Sequence, residues 1–65
     1  MDTKNLPIGT KLRNKYGNWT IIDITNFTDC KWYHLKGERG HVIAWPSEIG
    51  IQYRLIEAAA AINNH

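Results

Sequence analysis

Lys15-Tyr16-Gly17 and Lys36-Gly37-Glu38-Arg39-Gly40 each interrupt short runs in which apolar and polar residues alternate. Glycine at such points lets a chain double back, because it takes positive φ at no steric cost. The flanking runs read as strands by their period-two alternation. Trp19 to Thr25 carries this signal most strongly, since β-branched and aromatic residues dominate it and Asn26 ends it. A chain built from antiparallel hairpins is expected.

In the first hairpin, a three-residue loop at Lys15-Tyr16-Gly17 pairs Leu12 with Thr20 and Arg13 with Trp19. That register buries Leu12, Ile22 and Ile24 and exposes Lys11, Arg13, Trp19, Ile21 and Asp23. In the second, Cys30 to Leu35 and His41 to Trp45 flank the glycine pair. A two-residue turn at Gly37-Glu38 pairs His34 with His41 and Tyr33 with Val42. Tyr33, Leu35, Val42 and Ala44 then face inward, while Trp32, His34, Lys36, Arg39 and His41 face outward beside Ile43 and Trp45. A three-residue loop closed by Gly40 is the alternative, and its odd shift would reverse the faces of one strand. If Trp45, at its strand's end, instead closes the core, its loss should cost more than that of an exposed Trp19.

Beyond Trp45, Ile49, Ile51, Tyr53 and Leu55 alternate with Gly50, Gln52 and Arg54. A helix from Glu48 to Ile62 would carry Gly50 in its first turn at about 1 kcal/mol. The pattern therefore predicts a turn over Pro46 to Gly50, a strand from Ile51 to Ile56 and a short helix through Ala58 to Ala61. With residues 1–7 as an extended arm, residues 1–65 form a single mostly-β domain. The expected architecture is a small SH3-like barrel of about five antiparallel strands with a short C-terminal helix. The alternative is an α+β fold, a three- to four-stranded antiparallel sheet covered by a helix over 48–62. These are analogies of architecture, and no family motif stands in the residues.

Sixty-five residues hide only about 60% of the surface their unfolded chain exposes, which excludes a deep cleft between lobes. No apolar run approaches the ~20 residues that span a bilayer, and the first residues lack a secretory signal. Cys30 is the single cysteine, so no internal disulfide forms, and a reducing, cytoplasmic setting with no membrane is expected. Cys30 and His34 are the one candidate nucleophile and base, but four residues along a strand place them about 13 Å apart. Cys30 is therefore expected to fill a small gap in the core. Cys30, His34 and His41 are too few for structural zinc, and phosphate-binding glycine motifs are absent. The expectation is a protein that is not an enzyme and uses no cofactor or metal.

What remains is binding. The net charge is +2, with the basic side chains concentrated in the first half. The favoured registers gather Lys11, Arg13, Trp19, Trp32, His34, Lys36, Arg39 and His41 on one face. Exposed aromatic rings and arginines are the usual anchors of a protein contact. The first reading is thus a small interaction module, an adaptor or inhibitor of the kind that phages and mobile elements encode, docking on a larger protein. Self-association through the edge strand Ile51 to Ile56 belongs to the same class. The alternative is a nucleic-acid-binding domain in which the cations neutralise phosphates and the rings stack on bases.

Overall fold

The computed structural model describes residues 5–57. The strands are β1 (Lys11–Asn14), β2 (Gly17–Asn26), β3 (Lys31–Gly37), β4 (Gly40–Ala44) and β5 (Arg54–Glu57), and one helix, α1 (Pro46–Gln52), joins β4 to β5. They form one antiparallel sheet in the order β4-β3-β2-β1-β5. The mostly-β expectation and its five strands hold, whereas the described strands do not close into a barrel. The alternative of a helix over 48–62 on a smaller sheet fails, because α1 ends at Gln52 and a fifth strand follows.

The first hairpin is tighter than its glycine suggested. Asn14 Oδ1 accepts a hydrogen bond from the Tyr16 amide at 2.9 Å, a local side-chain turn of the kind asparagine favours. Asn14 consequently pairs with Gly17 across a loop of Lys15 and Tyr16 alone, and Leu12 lies opposite Trp19. The register is one residue from the expected one, and such a slip reverses faces. Trp19 and Ile21 are buried and Ile22 is 44% exposed, which corrects the expected assignment of all three.

A bulge then restores part of the expected pattern. Ile21 pairs with Leu35 and Asp23 with His34, leaving Ile22 as the extra residue on β2. Without it, strict alternation after Trp19 and Ile21 would turn Asp23 inward. With it, Asp23 stays in solvent, its Oδ1 accepting the Ile24 amide at 2.8 Å, and Ile24 packs against the core as expected.

The second hairpin turns at Glu38-Arg39, with Gly37 opposite Gly40, His34 opposite Ile43 and Lys36 opposite His41. This lies two residues from the expected register, an even shift that preserves every face. Tyr33, Leu35 and Ala44 are buried as expected, while Val42, on the edge strand, is 38% exposed rather than buried.

Past Trp45 the chain forms a helix where a turn was expected. Pro46 occupies the first helical position, where its missing N–H costs nothing, and Glu48 Oε1 accepts the Trp45 amide at 3.4 Å. Ile49 is the side chain of α1 that enters the core. Its burial outweighs the propensity cost of Gly50, which lies exposed on the other side. The last strand accordingly starts at Arg54 instead of Ile51. The helix expected over Ala58 to Ala61 lies outside the described residues.

The core comprises Leu6, Leu12, Trp19, Ile21, Tyr33, Leu35, Ala44 and Ile49. The arm before β1 is pinned to it. Leu6 is buried and its amide donates to the Tyr33 hydroxyl at 3.2 Å, while Gly9 donates to the Ile21 carbonyl at 2.7 Å and Ile21 to the Thr10 carbonyl at 2.9 Å.

Candidate functional site

Because all neighbouring strands are antiparallel, both hairpin loops lie at one end of the sheet. The β2-β3 connection and the start of α1 lie at the other. At this second end stands a group of rings, two of them exposed and the third, Trp32, half-buried between them. The Phe27 amide donates to the Cys30 carbonyl at 2.7 Å, folding the connection into a turn that leaves the Phe27 ring 52% exposed. Trp32 lies 5.9 Å from Phe27 in an edge-to-face contact and 3.8 Å from Trp45 in a tilted stack. Trp45 keeps 39% of its surface in solvent. Beside the rings opens a recess of about 850 Å³ whose lining includes Phe27, Cys30, Lys31, Trp45 and Pro46. Cys30 is exposed and precedes β3, so it fills no core gap.

The outer face of the sheet carries most of the residues expected to bind. Lys11 and Arg13 flank buried Leu12 and share their side with Thr20 and Asn18. Lys36 is paired with Thr20 on β2 and with His41 on β4. The His34 and His41 rings stack at 5.7 Å, and Thr25 Oγ1 fixes His34 through Nε2 at 2.7 Å. Trp32 pairs with Thr25 at the end of the same face. The face is not uniformly basic, since Asp23 is paired with His34 and Glu57 with Lys11.

Trp19 and Arg39 do not join it. Trp19 is buried, with Nε1 donating to Asn14 Oδ1 at 2.8 Å. Arg39 sits at the turn of its hairpin, where Nε donates to the Tyr16 carbonyl at 3.0 Å. Its guanidinium lies 5.9 Å from the Tyr16 ring, and the Lys15 ammonium lies 5.0 Å from the same ring, contacts of cation–π geometry. Nearby, burial and the charge of Glu48 hold the Tyr53 hydroxyl above its ordinary pKa of 10.0, against a smaller opposing effect of its hydrogen bond with Asn14.

Trp32 and Trp45 were expected to face outward, but Phe27 and the meeting of the three rings were missed by sequence reasoning. One signal could have found Phe27: it stands alone among Asn26, Thr28 and Asp29, a large ring in a polar connection with no strand to carry it inward.

Among the described residues, no group of three or more histidine, cysteine or acidic side chains is placed to hold a metal. None of the described helices is long and apolar enough to cross a membrane. Comparison with family models, with curated proteins and with solved structures finds no match.

Proposed function

We propose that this chain is a non-enzymatic, cytoplasmic protein-interaction module, an adaptor or inhibitor, that docks through its aromatic end. The Phe27, Trp32 and Trp45 rings carry the reading. Three large side chains held together at the surface of so small a protein leave apolar area in water that a partner would remove, and Trp is the residue most enriched among binding anchors. The Trp32-Trp45 stack also limits the conformational entropy lost on binding. His34, Lys36 and His41 continue from the rings along the outer face as a polar border, the usual arrangement around an apolar anchor. The SH3-like description of the fold belongs with this proposal, supported by five antiparallel strands, the tight β3-β4 hairpin and the short helix before β5. Self-association would use the edge strands β4 or β5.

A second reading is favoured by Lys11, Arg13, Lys36, His34 and His41 sharing a face with Trp32, an arrangement suited to nucleic acid. It is weakened by the interleaved acids Asp23 and Glu57, and by a Trp32 ring already stacked on Trp45.

Selection from a random peptide display library, with binders mapped by amide chemical shifts, distinguishes the two. Binders should perturb residues 27–32 and 45–47 and be lost in Trp32→Ala and Trp45→Ala. If the library yields no such binder, while oligonucleotides bind with steep salt dependence and lose affinity when Lys11, Arg13 and Lys36 become Gln, the nucleic-acid reading replaces the first.

A further inference from the structure

At the end of the sheet away from the rings, a recess of about 300 Å³ is lined by Arg13, Asn14, Lys15, Gln52 and Arg54. We propose that it is a binding site for a phosphate monoester group.

The first observation is the pairing of like charges. Arg13 on β1 and Arg54 on β5 are direct cross-strand partners. Two cations placed opposite each other destabilise an antiparallel pair, where an acid at either position would stabilise it. The second is the composition of the lining. Lys15 adds a third cation, Asn14 and Gln52 add amides, and among the described lining residues none is acidic. Lys15 is partly ordered by its position over the Tyr16 ring. A positive cluster with no counter-charge among its described lining residues is a local conflict that a bound anion resolves.

The C-terminal end of α1, at Gln52, supplies some negative potential. A helix terminus carries at most about half an elementary charge, well short of balancing three cations. The anion should also be compact and highly charged. A phosphate monoester carries roughly −1.5 to −2 at neutral pH, and arginine recognises its oxygens in pairs. A phosphodiester within a nucleic-acid backbone carries one charge and fits the cluster less well. The site is remote from the aromatic end, and neither proposal depends on the other.

The test is an amide chemical-shift titration of the full chain at constant ionic strength. The probes are inorganic phosphate, uridine 5′-monophosphate and a dinucleotide whose only phosphate is the internal diester. The first two should give saturable shifts at residues 13–15 and 52–54, and the diester should give none. Arg13→Gln and Arg54→Gln should each weaken binding by about tenfold, the size of one charge-assisted contact. Equal affinity for phosphate and the nucleotide would identify the free ion as sufficient, and a tighter nucleotide would identify an ester-borne group. Arg54→Gln also relieves the cross-strand repulsion, so its melting temperature should not fall; Lys15→Gln, outside the ladder, serves if that variant is unstable. The proposal is overturned if sodium chloride reproduces the shifts, if all three variants bind as the parent does, or if the diester binds as tightly.

Discussion

Asn14 decides where the largest side chain of β2 goes. Its Oδ1 accepts both the Tyr16 amide and the Trp19 indole N–H, so the same atom sets the loop length and receives the ring that the loop length turns inward. Trp19 is left 5% exposed, against 39% for Trp45. Replacing Trp19 by alanine should therefore cost about 3–5 kcal/mol, much of the 5–15 kcal/mol typical of an entire domain. Trp45→Ala should cost less, about 1–2 kcal/mol, since more than a third of that residue already lies in solvent. Urea melts of the two variants check the order, and equal losses would contradict the burial described. This order reverses what strand position alone suggests, because the sequence shows that Asn14 and Gly17 lie near a turn but not which of them closes it.

The β3-β4 hairpin contains two glycines required for different reasons. Gly40 has φ of 123° with open space around it, whereas a methyl group on Gly37 would collide with the Asn18 carbonyl oxygen and the Trp19 ring. Gly37→Ala should thus cost about 1–3 kcal/mol, as overpacking does, and alter Trp19 fluorescence by displacing the indole. Gly40→Ala should strain only the backbone and leave that emission unchanged. Identical spectra for the two variants would refute the assignment. The inward set of this hairpin was largely legible in the sequence, because Tyr33, Leu35 and Ala44 keep their faces under any even register shift. The hairpin before it was less so, since an odd shift moved Trp19 and Ile21 inward and the Ile22 bulge then reversed the count. The outer cations Lys11, Arg13 and Lys36 stayed readable because they flank buried positions on short strands. The aromatic end did not, because Trp45 meets Trp32 only through the observed β3-β4 register. The start of α1 was hidden because burial of Ile49 depends on a sheet assembled from distant segments, which local propensity does not register.

For the molecule as a whole, the pairings fall into two kinds. β1-β2, β2-β3 and β3-β4 join segments adjacent in the chain, whereas β1-β5 joins Arg13 to Arg54 across more than forty residues. β5 is also the least embedded element, four residues long with all four exposed. Amide hydrogen exchange should therefore be fastest in β5 and slowest in β2 and β3. Protection of β5 equal to that of β3 would show that the sheet opens only as a unit. The order of assembly follows from the same topology. Hairpins close in about 1–10 μs, and closing the β1-β5 loop instead of a two-residue turn spans roughly four doublings of loop length, an added entropic cost of ~2.5 kcal/mol. Such a pairing is reached after the hairpins, once α1 has shortened the free chain between β4 and β5. The strand that folds last is then the first to leave, and its departure uncovers the backbone edge of β1 while the other strands remain paired.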